Sequence, residues 1–211
     1  MAAKDDRIRY QDGTIIGNLE DKANTSNPIA KAMVAGFDRS LESLLDNSKP
    51  RNIHEVGCGE GRLSEALQAR FSCPVRGTEL SHELVTALQA KNLPGVTIVE
   101  KNIYDLNPAE DAADVVVCCE VLEHVPDYER AIKALKSLGA RQYVLSVPRE
   151  PLWCALNMAR GKYWSSLGNT PGHLNHWSAF TFTRFLKKHG FVIDEIKRPL
   201  PWTMVRGSFK P

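Results

Sequence analysis

No stretch of this sequence approaches the roughly 18 uncharged apolar residues that a membrane-spanning helix needs. The opening residues, MAAKDDRIRYQDG, are polar and carry no apolar block of the secretory kind. Metal-type cysteine spacing is missing too: Cys58, Cys73, Cys118, Cys119 and Cys154 form no CxxC pair and sum to an odd number. Together these absences predict free thiols in a reducing, cytoplasmic compartment rather than a disulfide framework. Cys118 and Cys119 are neighbours in a strand-like run, so their side chains are expected on opposite faces. Charge of one sign is not in excess: 27 basic and 25 acidic residues leave a formal +2, with the basic ones scattered. A nucleic-acid partner is therefore not expected. Internal repeats and low-complexity segments are absent as well.

What is present is an ordinary globular composition, 43% apolar and 25% charged over 211 residues, enough for one domain with a real core. Residues 1–27 are polar and weakly periodic and read as an N-terminal arm or lid before a single domain at 28–211. Ser26-Asn27-Pro28 opens a helix, with proline at its first position. Ile29, Met33, Val34, Phe37, Leu41, Leu44 and Leu45 give that helix one apolar face. Beyond it the pattern alternates. Strand-like runs at 52–57, 74–79, 96–100, 113–119 and 141–147 are separated for the most part by helical runs at 61–70, 81–92 and 127–139. Short Val/Ile-rich strands between helices predict a parallel sheet covered on both faces. The class is α/β, with a Rossmann-like doubly wound sheet whose ligand crevice lies beyond the carboxyl ends of the strands. Residues 148–177 break the rhythm and hold Trp153, Tyr163, Trp164 and Trp177. A helix from Ser178 to His189 follows, and then two close strands, 191–197 and 201–206, a spacing that suits an antiparallel pair. They bring the total to seven strands.

The most informative run is Glu55-Val56-Gly57-Cys58-Gly59-Glu60-Gly61, where the first strand of the alternation turns into a helix. Glycines let the backbone turn sharply and approach a ligand, and the helix start adds free N–H groups. A dinucleotide fingerprint would need glycine or alanine where Arg62 stands. The run ExGxGxG instead resembles motif I of the class I S-adenosylmethionine-dependent methyltransferases. Glu79 ends the second strand of the alternation, and a carboxylate there can accept both hydroxyls of a ribose. Its context, Gly77-Thr78-Glu79-Leu80, resembles the family's second motif. After the third strand, Asn102 and Ile103 match by position the residues that meet the adenine, with Asn where Asp is more usual; Asp105 is the alternative if the register slips. The resemblance implies a mostly parallel sheet with an antiparallel last strand. It also implies S-adenosylmethionine as cofactor, held by Glu55, Gly57, Gly59, Gly61, Glu79, Leu80, Asn102, Ile103, Cys119 and Glu120.

Methyl transfer needs two atoms brought into line in a dry site, and a hydroxyl acceptor gains from a base. The fourth strand of the alternation runs into Cys119-Glu120-Val121-Leu122-Glu123-His124, so His124 is one candidate base. His173, in Gly172-His173-Leu174-Asn175-His176, is the other candidate for activating the acceptor. Glu120, Glu123 and His124 at i, i+3 and i+4 could share a divalent ion with His173, as a similar ExxEH run does in small-RNA 2′-O-methyltransferases and ubiquinone-pathway O-methyltransferases. The reading adopted is a hydrogen-bonded loop without metal. The aromatic and basic residues of 148–177 suggest a small acceptor, sugar-like or phenolic; the alternative is that Trp153, Leu156 and Met158 form a helix packing on the core, and both can hold for different residues. No Asn/Asp-Pro-Pro-Tyr/Phe motif follows the fourth strand, and oxygen is preferred over nitrogen or sulfur on that ground. Two rivals are an RNA 2′-O-methyltransferase and a non-catalytic cofactor-binding partner subunit. The assembly is expected to be a monomer or a homodimer.

Overall fold

The computed structural model describes residues 9–11, 14–16 and 27–210. Near the amino terminus Arg9–Gln11 (β1) pairs antiparallel with Thr14–Ile16 (β2). The rest of the expected arm lies outside the described residues. Pro28–Asp46 forms α1; the Asn27 side chain caps it by accepting from the N–H groups of Ile29 and Ala30, and Pro28 fills a first-turn position that needs no donor. Phe37, Leu41, Leu44 and Leu45 bury the inner face as expected. Ile29 departs from the expectation at 69% exposure, because the first α1 side chain packed on the core is Met33, a turn later.

The main sheet is built from Ile53–Val56 (β3), Val75–Glu79 (β4), Val96–Glu100 (β5), Val115–Cys119 (β6), Gln142–Pro148 (β7), Phe191–Lys197 (β8) and Trp202–Phe209 (β9). The strand order is β5-β4-β3-β6-β7-β9-β8. Strands β3 to β7 run parallel, and β9 is antiparallel to both β7 and β8. Helices Arg62–Phe71 (α2), His82–Lys91 (α3), Pro108–Asp111 (α4), Tyr128–Ser137 (α5), Leu152–Ala159 (α6) and Ala179–Lys188 (α7) connect them. Among the described residues no helix is long and apolar enough to cross a membrane. The expected strands and helices are thus present with ends shifted by a residue or two. The exception is β9, which runs on to Phe209. Gly207 looks like a break in the sequence, yet a Cβ there would lie 2.0 Å from the Val192 carbonyl oxygen, so glycine permits the close approach of β8.

Each face of the sheet carries its own apolar layer. Cys118 belongs to the layer with α5 and α7, among Ile132, Leu135, Phe182 and Leu186. Cys119 belongs to the other, with Leu41 and Leu44 of α1, Leu67 of α2 and Trp153 of α6. The neighbouring cysteines therefore do face opposite ways, and all five thiols are unpaired. Val115, Val116 and Val117 are fully buried, and a buried side chain of this size contributes about 1.5–3 kcal/mol. His54, in the middle of β3, is a satisfied core residue: Nδ1 lies 2.8 Å from the Asp111 carbonyl oxygen and Nε2 3.0 Å from the Thr78 hydroxyl. Burial lowers its pKa to about 4. Beside Lys187 and Lys188 in the sequence, His189 is expected on a solvated face; its side chain is instead 13% exposed, with Nε2 2.7 Å from Glu129 and its ring on Phe185.

The chain leaves β3 outward to β4 and β5, then returns to β6 and β7 on the other side. That reversal opens a crevice at the carboxyl ends of β3 and β6.

Candidate active site

On the β3 side of the crevice, Gly57, Gly59 and Gly61 all adopt positive φ, at 76°, 54° and 80°. Their surroundings differ. A Cβ on Gly57 would lie 2.4 Å from Val121 Cγ2, and one on Gly61 2.6 Å from Leu88 Cδ2. At Gly59 the same atom would meet nothing within 4 Å. Two of the glycines therefore let the chain pack on itself, and the middle one faces open space. The N–H groups of Gly57 and Cys58 donate to the Thr78 carbonyl at 2.7 and 3.0 Å, tying the loop to β4.

Glu79 closes this arrangement. Its carboxylate accepts from Gly59 N–H and from Ser81 N–H, each at 2.9 Å. A carboxylate has about four acceptor directions, so two hydroxyls can still be bound. The next residue, Leu80, offers its carbonyl to the Gln11 side-chain amide of β1 at 2.7 Å. Behind the loop Glu55 is 3% exposed and accepts from the Ser64 hydroxyl. Burial pushes its pKa up to about 8, so it is mostly neutral at pH 7. Asn102 caps the single helical turn Ile103–Asp105 by accepting from Tyr104 N–H at 3.1 Å. Ile103 is 8% exposed and packs in the core layer that includes Leu106. Asp105 faces outward, 4.0 Å from Arg130.

The β6 side is built from loops far apart in sequence. Cys119 is buried at the strand end. Glu120 takes a φ of 60°, and its carboxylate accepts from the Ser146 hydroxyl at 3.0 Å and from the Trp202 indole N–H. The turn at Leu122–His124 then brings Glu123, His124 and His173 together, one ligand-type atom of each lying within 4.8 Å of the others. Glu120 is not part of that trio. Glu123 and His173 are buried, at 1% and 6% exposure. His124 Nδ1 lies 3.0 Å from the Gly172 carbonyl oxygen. A carbonyl only accepts, so Nδ1 carries the proton and, in the neutral ring, Nε2 carries the lone pair. Nε2 stands 3.9 Å from Glu123 Oε1, and the His173 ring lies 5.0 Å away, nearly perpendicular.

Of the four aromatic residues singled out in 148–177, Trp153 adjoins this group, its ring 5.5 Å from His173 and 5.9 Å from Trp202. Trp177 packs on the opposite layer with Tyr128 and Phe185, and Trp164 is 65% exposed. Sequence reasoning passed over three residues that shape the site. Trp202 and Ser146 hold Glu120, and Asn175 donates to the carbonyls of Leu122 and Val125 at 2.9 and 2.8 Å. The one available signal was the place of Asn175 two residues after a candidate histidine.

The site thus joins a bare backbone loop with a fixed carboxylate, suited to a ligand bearing a diol, to an imidazole whose lone pair is held in one orientation. A family model described as a methyltransferase domain matches residues 30–196. A ubiquinone biosynthesis O-methyltransferase from Xanthomonas euvesicatoria pv. vesicatoria (strain 85-10) is 30% identical over 166 residues, covering 71% of this chain and 67% of that protein. Its counterpart from Xanthomonas campestris pv. campestris (strain B100) is 34% identical, over 61% of this chain and 55% of that protein. Among solved structures, the magnesium protoporphyrin IX methyltransferase from Synechocystis PCC 6803 with bound SAH superposes with a TM-score of 0.65 at 22% identity, covering 88% of this chain and 89% of the other.

Proposed function

The chain belongs to the methyltransferase-domain family, and from that premise we propose that it methylates a hydroxyl oxygen of a small molecule, using S-adenosylmethionine. The cofactor, when bound, supplies a methyl group activated by a positively charged sulfur. The chain's own residues fit such a ligand. Gly59 offers open space where any other residue would put a Cβ. The Glu79 carboxylate, pinned by two backbone donors, keeps acceptor directions for two ribose hydroxyls. In this reading Leu80, Asn102 and Ile103 border the adenine, and Gly57 and Gly61 give the loop its shape. Glu55 shapes the loop from behind as a neutral, buried carboxyl.

The observation that carries the acceptor half is the fixed His124 ring, with its Nδ1 proton on Gly172 and its Nε2 lone pair beside Glu123 and His173. An imidazole held this way takes the proton of an acceptor hydroxyl at Nε2. Glu123, buried next to it, stands 3.9 Å from that nitrogen. Trp153 packs beside His173, its ring 5.5 Å away. The oxygen specificity of the curated relatives supports the same choice of acceptor atom.

The test is a screen of purified protein with the donor and a panel of phenols, catechols, sugars and amines, following S-adenosylhomocysteine. Turnover is expected with hydroxyl acceptors and lost in His124→Gln. Turnover with amines alone would overturn the oxygen assignment.

A second reading is favoured by the convergence of Glu123, His124 and His173. One carboxylate and two imidazole nitrogens form a donor set suited to a borderline divalent ion. Glu123, His124 Nε2 and His173 would hold it, and it would lower the pKa of a hydroxyl bound to it. Metal analysis of the purified protein, with assays before and after chelation, separates the two readings. Full activity in metal-free protein removes this one.

A further inference from the structure

The orientation of His124 depends on a residue outside both the glycine loop and the ExxEH run. The Asn175 side-chain amide donates to Leu122 O at 2.9 Å and to Val125 O at 2.8 Å. Those carbonyls stand at the two ends of the turn that projects Glu123 and His124, so a single amide pins both ends. Leu122 and Val125 are 0% and 3% exposed, which leaves their carbonyls little access to water as a substitute donor. The same segment adds backbone bonds: the N–H groups of Leu174 and Asn175 donate to Glu123 O at 2.8 and 3.1 Å. His124 Nδ1 completes the clasp on Gly172 O, and His173 lies in the middle of the segment.

The backbone bonds all converge on Glu123 O, and one anchor point allows the turn to pivot. The two Asn175 bonds, on carbonyls either side of that anchor, remove the pivot. The consequence reaches the ring chemistry. An unrestrained neutral imidazole prefers its proton on Nε2, the nitrogen that has to be bare for proton abstraction from an acceptor. The Gly172 carbonyl reverses that preference only while the turn holds Nδ1 against it.

We infer that Asn175 is a positioning residue that, by locking the turn from Leu122 to Val125, sets the orientation and tautomer of His124. The inference rests on the proposed role of His124 as the acceptor-activating group. Its test, however, needs no acceptor. Long-range proton–nitrogen spectra of histidine-labelled protein, taken at a pH where the rings are neutral, report which nitrogen of His124 is protonated. The wild type is expected to show Nδ1–H alone. Asn175→Ala removes both donors. Asn175→Asp keeps the shape but sets carboxylate oxygens against two carbonyls.

Both variants are expected to move His124 to a mixture of tautomers. Affinity for S-adenosylhomocysteine by calorimetry should stay within about twofold of wild type, because the Asn175 amide spends its two bonds on Leu122 O and Val125 O, away from Gly59 and Glu79. A general loss of structure would weaken that affinity as well. A wild-type His124 protonated on Nε2 overturns the inference without any variant. So does an unchanged Nδ1–H tautomer in folded Asn175→Asp. His124→Gln that turns over an acceptor as wild type does would instead defeat the catalytic role of the histidine, and the tautomer result would stand apart from it.

Discussion

On the β3 side of the crevice almost every polar contact runs through backbone: Gly59 N–H and Ser81 N–H on Glu79, Gly57 N–H and Cys58 N–H on Thr78 O. On the β6 side most contacts run through side chains, with Asn175 on Leu122 and Val125, His124 on Gly172, and Trp202 and Ser146 on Glu120, beside two backbone bonds to Glu123 O. The first half is a local motif at one strand end. The second is assembled from β6, β7, β9 and a segment 50 residues downstream. A site half made of backbone tolerates changes of side chain but not an added Cβ. One made of side chains reverses that sensitivity. The halves also touch, since Val121 fills the space that a Gly57 Cβ would need.

That contact offers the largest effect. Gly57→Ala puts a methyl 2.4 Å from Val121 at a φ of 76°, which an L side chain adopts at a cost. Left-handed strain of about 1–2 kcal/mol and overpacking of about 1–3 kcal/mol predict a destabilisation of about 2–5 kcal/mol. Adding Val121→Ala should return the overpacking part and leave the strain. Urea denaturation of both single variants and the double variant measures this coupling. Strictly additive losses would mean that the two halves do not press on each other here.

The next effect belongs to the β3 side alone, where two neighbouring residues respond to pH in opposite directions. Glu55 in the native protein keeps its proton to about pH 8, against 4.5 for the unexposed-to-fold reference carboxyl. Between those values the folded state binds more protons, so the stability from this group is complete below pH 4.5 and declines as pH rises towards 8. The slope is at most about 1.4 kcal/mol per pH unit. His54 works in the opposite direction: its native pKa of about 4 against 6.5 makes stability fall as pH drops from 6.5 to 4. Glu55→Gln should therefore gain on wild type in melting temperature between pH 5 and pH 8. Parallel curves would show that the carboxyl is already ionised inside the fold.

His124→Ala follows. Removing a general base lowers turnover by roughly 100-fold or more. Donor affinity should change little, since the bond that orients the His124 ring runs to Gly172 O. Glu79→Ala should do the reverse, with affinity for S-adenosylhomocysteine lost first. Calorimetry alongside initial rates tests the crossing pattern. Equal losses of both quantities in both variants would erase the division into halves.

The same division explains what the sequence made legible. The glycines, Glu79 and the strand–helix alternation lie in short contiguous runs whose spacing follows from strand and helix geometry. Strands β3 to β8 could therefore be read to within a residue or two, and so could Ser178 as the cap of α7. The pairing of His124 with His173 was legible only through the resemblance of the ExxEH run and its later histidine to the family, because the two lie 49 positions apart in separate loops. The role of Asn175 was not legible, since a side-chain amide meeting two carbonyls 53 and 50 positions away leaves no periodic trace. Glu120 misled for the opposite reason. Its i, i+3, i+4 spacing with Glu123 and His124 assumes a helical turn, and a φ of 60° at Glu120 sends its carboxylate to Ser146 and Trp202 instead. The helix α6 was legible only as an alternative for 148–177, through Trp153, Leu156 and Met158, and it is present as Leu152–Ala159 with Trp153 on the core.

Gly59→Ala gives the smallest effect, yet it distinguishes the glycines most sharply. Its φ of 54° lies in the left-handed region, so alanine should cost about 1 kcal/mol in stability. No atom within 4 Å obstructs the new methyl, so no overpacking adds to it. If the open space above Gly59 is where the donor lies, that methyl takes up room the ligand needs. Affinity for S-adenosylhomocysteine should then fall by about tenfold, near 1.4 kcal/mol. Gly61→Ala serves as the control, because its methyl strikes Leu88 at 2.6 Å and its cost should appear in stability, with Leu88→Ala relieving part of it. Calorimetry and urea denaturation on the two variants should therefore rank them in opposite order. If Gly59→Ala keeps full affinity, the donor does not lie against this loop, and the backbone-built half of the crevice would owe its glycines to folding alone.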